Sequence, residues 1–133
     1  MKRIVFFGLL AAIAGLLVYV FLHRNDWRIP ENAKGLRNPL VPSNAALRSA
    51  AGIYKAKCAE CHGETGKGDG PDAAMYEPAP ADLTDARRIG GRTDGELFYQ
   101  ISEGRKPMPA FRDKLTAEQR WQLVMLVRSF AGK

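Results

Sequence analysis

The chain has 133 residues, two cysteines and a formal net charge of +6, a length that allows one small domain with additional elements. Three basic residues, Lys2, Arg3 and Arg24, flank an apolar N-terminal run, which leaves seventeen basic and fourteen acidic residues, or +3, on the remainder. This is the charge of an ordinary solvated surface, and because no basic stripe or recognition motif accompanies it, we exclude a nucleic-acid-binding protein.

The first predicted element is an uncharged run of nineteen residues from Ile4 to Leu22. At helical rise this run spans roughly 28 Å, which is enough for the hydrocarbon core of a bilayer. A cleaved signal peptide is the alternative, because Ala12-Ile13-Ala14 resembles a cleavage site. The apolar run continues well beyond that site, which favours an uncleaved anchor. We therefore predict one N-terminal transmembrane helix within residues 1–24.

Residues 25–43 are predicted to form an extended linker. They contain Pro30, Pro39 and Pro42 and show little hydrophobic periodicity. Prolines favour the extended polyproline II conformation. Packing of this segment along a partner subunit is an equally good interpretation of the same pattern. Trp27, near the start of the segment, suits either the membrane interface or a partner contact.

Three helices are predicted in residues 44–133, and no strand is indicated. The first runs from about Asn44, a candidate N-cap, to Cys58. The other two each open with a capping box and reach about Gly104 and Phe130. These boxes are Thr93-Asp94-Gly95-Glu96 and Thr116-Ala117-Glu118-Gln119. The last helix carries apolar residues over a wide arc, which predicts that it is largely buried.

Both cysteines lie in the stretch Cys58-Ala59-Glu60-Cys61-His62. The pattern C-x-x-C-H is typical of covalent c-type haem attachment, in which two thioethers hold the macrocycle and the histidine ligates the iron. A thioredoxin-like dithiol does not require the histidine, and a zinc site would need four ligands. The only other histidine, His23, lies far upstream. We predict one covalent haem c.

The second axial ligand of the iron is predicted to be Met108. This residue lies between Pro107 and Pro109, which restrict the backbone and give a stiff loop that can hold a thioether in a fixed place. Met75 is a second loop methionine and the main alternative. Ligation by histidine and methionine raises the reduction potential, and filling both axial positions favours electron transfer over activation of a substrate.

From about Ser49 to Phe130 the chain resembles a class I monohaem cytochrome c of the kind found in bacterial respiratory chains. Besides the haem motif, the matching segments are Tyr54, Gly66-Lys67-Gly68-Asp69-Gly70-Pro71, Pro80-Ala81-Asp82-Leu83-Thr84, Gly95-Glu96-Leu97-Phe98 and Pro107-Met108-Pro109-Ala110-Phe111. The resemblance implies an all-α fold of three to four helices around the haem. It also implies that a backbone carbonyl accepts the Nδ1–H of His62, with Pro71 as the nearest match.

Members of this family often have glycine where the first and last helices cross, and here the corresponding residue is Ala50, opposite Leu126. The resemblance implies an electron-transfer protein rather than an enzyme. It would act as a membrane-anchored carrier or as a haem subunit of a respiratory complex, with redox proteins or complex subunits as partners. A haem sensor or small peroxidase with a displaceable distal ligand is the alternative, and the stiff loop around Met108 argues against it.

Haem attachment in this family takes place outside the cytoplasmic membrane. The expected location is therefore the cytoplasmic (inner) membrane, crossed once, with the haem domain in the periplasm.

Overall fold

The computed structural model describes residues 2–23 and 27–132, with side chains described for 6–21 and 27–132. Within these residues the chain forms helices and one short 3₁₀ turn at Ala73–Met75, without any β-strand. The helices are α1 (Lys2–His23), α2 (Glu31–Lys34), α3 (Asn44–Lys57), α4 (Ala59–His62), α5 (Ala86–Gly90), α6 (Asp94–Glu103) and α7 (Ala117–Ala131). The described part of the chain thus has the all-α character that the sequence predicts.

Asn44 is the predicted N-cap of α3, but in the structure the N-cap is Ser43. Ser43 has an extended backbone, and its hydroxyl accepts a hydrogen bond from the Ala46 amide at 3.1 Å. Asn44 is instead the first helical residue, because the hydroxyl one position earlier already satisfies a free amide of the first turn. Both predicted capping boxes are confirmed, at the start of α6 and at the start of α7.

The core forms where α3 crosses α7. Ala50 is fully buried and lies in one apolar cluster with Tyr54, Leu123 and Leu126. A side chain of one methyl group lets two helices approach closely, so Ala50 suits this crossing. A second cluster joins α5 and α6 to α7, with Val124 at its centre. The prediction that the last helix is largely buried is therefore confirmed.

Residues 27–43, which we call the N-terminal strap, pack on the helical domain instead of forming an extended linker. Ile29 and Ala33 are buried. The Thr93 hydroxyl donates to the Lys34 carbonyl at 2.8 Å, and the Asn38 side-chain amide donates to the Trp121 carbonyl at 3.0 Å. These contacts anchor the strap to the start of α6 and to α7. The proline content of the segment does not predict this packing.

Two further contacts explain how close the strap lies to the domain. A β-carbon on Gly95 would collide with the Ala33 carbonyl oxygen, so only glycine permits this approach of α2 to α6. Trp27 lies beneath the guanidinium group of Arg105, whose central carbon is 5.1 Å from the ring centroid. Trp27 therefore contacts the loop that holds Met108.

Helix α1 spans Lys2–His23, and its large apolar side chains between Phe6 and Phe21 are exposed. In the part of the chain that the structure describes, however, no helix combines the length and apolar character that a membrane crossing requires. The predicted transmembrane helix is therefore not confirmed. The helix includes Lys2 and Arg3 in its first turn, so its apolar part is shorter than the helix itself.

Candidate haem site

The C-x-x-C-H motif forms a single helical turn. Cys58 lies between α3 and α4, and its carbonyl accepts hydrogen bonds from the amides of Cys61 at 3.2 Å and His62 at 2.8 Å. Both thiols are free and partly exposed. The motif therefore holds two available sulfurs and an imidazole within one turn of backbone.

Neither thiol has the lowered pKa that is typical of a reactive dithiol. Burial, together with the neighbouring Cys61, raises the pKa of the Cys58 thiol to about 11. Burial also raises the pKa of Cys61, helped by Asp72 and Glu60. Catalytic dithiols instead have one thiol of lowered pKa. Among the described residues no group of three or more histidine, cysteine or acidic side chains could hold a metal ion.

The His62 ring is half-buried, and its Nδ1 lies 3.0 Å from the carbonyl oxygen of Ala81. A carbonyl oxygen can only accept, so Nδ1 carries the proton and Nε2 has a free lone pair for a metal. Burial lowers the pKa of His62, with a smaller opposing effect from the Ala81 hydrogen bond. The ring is therefore held neutral, in the tautomer that a proximal iron ligand requires.

The resemblance implies that the Pro71 carbonyl accepts the Nδ1–H of His62. In the structure the acceptor is instead the carbonyl of Ala81, and Pro71 is exposed. The reason lies in the loop after α4, which folds back on the haem motif. Gly70 lies so close to this motif that a β-carbon would collide with the carbonyl of Glu60. The returning chain is then held by the Leu83 amide, which donates to the Gly66 carbonyl at 2.6 Å. This contact places the segment before Leu83 beside His62.

Met108 lies in a closed loop, residues 104–111, between α6 and α7. Its amide donates to the Arg105 carbonyl at 2.8 Å, and the two residues form an isolated antiparallel bridge. The Met108 side chain is half-buried, whereas Met75, in the 3₁₀ turn, is 69% exposed. The difference favours Met108, although its role as a ligand stays a prediction.

These residues fit a c-type haem. The motif supplies two free thiols one turn apart, and the neutral imidazole next to them has an unused nitrogen. A methionine thioether is presented by a separate, hydrogen-bonded loop. Ala81, whose carbonyl orients His62, is not among the predicted site residues.

The comparisons with known proteins agree with this site. The family described as cytochrome C oxidase, cbb3-type, subunit III matches residues 45–127, which contain both the haem motif and the loop of Met108. Cytochrome c6 of Parathermosynechococcus lividus is 27% identical over 89 residues, which cover 67% of this chain and 95% of that protein.

Two solved structures are also similar. A chain of the reducing HAO-like protein complex of Kuenenia stuttgartiensis superposes with a TM-score of 0.62 at 30% identity, over 84% of this chain and 53% of that one. This chain thus spans about half the length of that subunit, and the match extends beyond residues 44–133 into the N-terminal part. The c-type cytochrome KustC0563 superposes with a TM-score of 0.53 at 32% identity, over 61% of this chain and 95% of that one.

The haem motif, the oriented imidazole and the all-α domain around them coincide with the range that the family match covers. The chain belongs to the class I monohaem cytochromes c, in the family described as cytochrome C oxidase, cbb3-type, subunit III.

Proposed function

We propose that this protein carries single electrons through one haem c, attached at Cys58 and Cys61, with His62 and Met108 as axial ligands. When bound, the haem iron supplies a one-electron Fe(III)/Fe(II) couple. The observation that carries the proposal is the hydrogen bond between His62 Nδ1 and the Ala81 carbonyl at 3.0 Å, within an intact attachment motif. This bond leaves Nε2 as the only ring nitrogen free to bind iron.

Each residue of the site would have a separate role. The two cysteines would fix the macrocycle in the domain. The Ala81 carbonyl keeps the His62 ring in one orientation and increases its basicity as a ligand. Met108, in its closed loop, would fill the opposite axial position and keep water and small molecules away. A site filled on both sides supports electron transfer and disfavours substrate chemistry.

The proposal can be tested with carbon monoxide. The purified, reduced protein is expected to show no spectral change under carbon monoxide, because both axial positions are filled. A redox titration followed by absorbance should fit a single one-electron transition. Rapid formation of a carbon monoxide adduct at neutral pH would contradict the proposal and favour a sensor or a peroxidase with a displaceable ligand. Denatured protein, in which the loop of Met108 is lost, serves as the positive control.

We propose that the partners are redox proteins or subunits of a membrane respiratory complex. The similar Kuenenia stuttgartiensis chain is part of a reducing HAO-like protein complex, which supports the proposal that this protein also acts as a subunit of an assembly. The packing of the strap on α6 and α7 gives further support. It would hold the haem domain at a short distance from α1, which suits a subunit of fixed position better than a domain on a long flexible tether.

We further propose that the protein is attached to the cytoplasmic membrane with its haem domain in the periplasm. The support is the row of exposed apolar side chains on α1, whose larger members, from Phe6 to Phe21, are 46 to 67% exposed. A row of that kind needs an apolar environment. Haem attachment outside the cytoplasmic membrane, expected for this family, supports the periplasmic side.

Extraction of host membranes tests this location. The protein is expected to stay in the membrane pellet at alkaline pH and to be released by mild detergent, because apolar burial does not depend on charge. A variant in which a cleavable export signal replaces residues 1–26 should appear in the soluble periplasmic fraction with its haem. Release of the full chain by alkaline extraction alone would contradict direct membrane attachment and indicate that α1 is covered by a protein partner.

A further inference from the structure

Arg120 is a buried cation with an unusual set of partners. It lies in the first turn of α7 and is only 8% exposed. Its Nη1 donates to the hydroxyl of Ser102, its Nε donates to the Thr116 carbonyl at 3.4 Å, and its guanidinium carbon lies 4.8 Å from the centre of the Phe98 ring. None of these three groups is a carboxylate. The carboxylates of Glu103 and Asp113 act on this guanidinium group only at longer range. Burying a cation without a direct ion pair is costly, so an apolar side chain would be the cheaper way to fill this space.

Ser102, to which Arg120 donates a hydrogen bond, explains why a cation is placed here. Ser102 is 1% exposed and lies one residue before the end of α6. Its hydroxyl donates its single proton to the Phe98 carbonyl at 2.7 Å, which leaves only lone pairs for further bonding. A donor is therefore required on its other side, and the guanidinium group of Arg120 supplies it. The contact joins the last turn of α6 to the first turn of α7.

Ser102 also closes the loop of residues 104–111, which carries Met108, at the point where the two ends of the loop meet. We call this point the neck of the loop. The Ser102 carbonyl accepts hydrogen bonds from the amides of Phe111 at 3.1 Å and Arg112 at 3.0 Å, where the chain leaves the loop. On the other side of the neck, Gly104 lies so close to Pro109 that a β-carbon would collide with it. The loop thus begins shortly after Ser102, at the end of α6, and its other end is hydrogen-bonded back to Ser102.

We propose that Arg120 is a positioning residue that keeps the loop of residues 104–111 closed and thereby holds Met108 at its axial position. The proposal rests on the proposed function, in which Met108 is a ligand. Without the guanidinium group, the lone pairs of the Ser102 hydroxyl lose their donor, and the end of α6 is no longer fastened to α7. The neck then opens more often, although Met108 and its neighbours in the loop are unchanged.

The test is the binding of imidazole to the oxidised protein, which can occur only while Met108 is displaced. The apparent affinity therefore reports the fraction of molecules with an open loop. Arg120→Met is expected to bind imidazole about tenfold more tightly than the wild type, the factor that corresponds to losing one charged hydrogen bond from the closed state. Amide hydrogen exchange at Phe111 and Arg112 should accelerate in the same variant.

Arg128→Met is the matched control. Arg128 lies on the same helix and also makes several hydrogen bonds, to Asp94 at 2.9 Å and to the carbonyls of Ile89 at 2.6 Å and Arg92 at 2.5 Å. These partners belong to α5, to the turn that follows it and to the start of α6, away from the loop. This variant is expected to lower thermal stability without changing the affinity for imidazole.

Equal shifts in imidazole affinity for the two variants, or none in Arg120→Met, would overturn the proposal, because Arg120 would then act only on global stability. If Arg120→Met does not take up haem, Arg120→Gln provides the test, since its amide can still donate to Ser102; a smaller shift in the same direction is expected. Failure of the proposed function is recognised separately. In that case the oxidised wild-type protein would show no sulfur–iron absorption band before imidazole is added, or would keep that band in Met108→Ala.

Discussion

Replacing Met108 by alanine is expected to abolish the sulfur–iron charge-transfer band of the oxidised protein and to lower its reduction potential. A thioether is a soft, neutral ligand that stabilises Fe(II), so its loss favours the oxidised state. The loop should survive the change, because its hydrogen bonds are made by backbone groups and the Met108 side chain is only half-buried. Absorbance spectra and a redox titration of the purified variant provide the measurement.

Met75→Ala is the control for this prediction. Met75 is 69% exposed in the 3₁₀ turn after the haem motif, and removal of its side chain should leave both the band and the potential nearly unchanged. The opposite pattern, with the band lost in Met75→Ala and kept in Met108→Ala, would show that the ligand comes from the 3₁₀ turn. The argument from the stiff loop would then be wrong.

The helices that carry the site could be predicted because their signals are local. The two capping boxes need only residues three positions apart, and both are present as predicted. The haem motif is local as well, since its thiols and imidazole lie within one turn. Helix α3 begins at Asn44 as expected, but its N-cap is Ser43. Serine and asparagine are both good N-caps, and local sequence does not decide between neighbours of similar propensity.

Contacts between distant parts of the chain were the ones that the sequence did not reveal. Ala81 reaches His62 across nineteen positions, and this depends on a glycine-rich loop whose path is set by close backbone packing. The prolines of residues 25–43 predict an extended linker or a segment packed along a partner subunit, and neither prediction points to packing on the chain's own domain. The buried residues are Ile29, which precedes the N-cap of α2, and Ala33 within this four-residue helix, so the apolar signal is only two residues long. Such a signal is too brief to stand out against the prolines.

Arg120 shows a different limit of prediction. Its place on the buried face of α7 could be read from the spacing of the apolar residues that follow it. The identity of its partner could not, because Ser102 lies eighteen residues earlier, and its spacing of four from Phe98 places it on the apolar face of α6 without showing what it contacts. A charged residue within an apolar arc therefore predicts a buried polar contact without naming it.

The protein purified from its host is expected to carry one haem that stays on the chain after denaturation, and a variant with Cys58→Ala and Cys61→Ala is expected to carry none. Mass spectrometry of the denatured chains measures both. The exposed residue between the cysteines supplies the control: Glu60→Ala should keep the haem, because its side chain has no role in attachment. A wild-type chain of unmodified mass would contradict covalent attachment and leave a disulfide or a dithiol as the explanation.

The double cysteine variant should also lose its folded structure, and this is the largest effect expected for any substitution in the protein. The domain is small, and its apolar core consists of two modest clusters around Ala50 and Val124. At this size a core of side chains alone gives marginal stability, and the haem would add a large apolar surface at the centre. Circular dichroism and thermal unfolding should therefore show a largely unfolded chain. A variant without haem that kept the helical signal and a cooperative transition would mean that the side-chain core suffices, and that the haem is bound by a domain already folded.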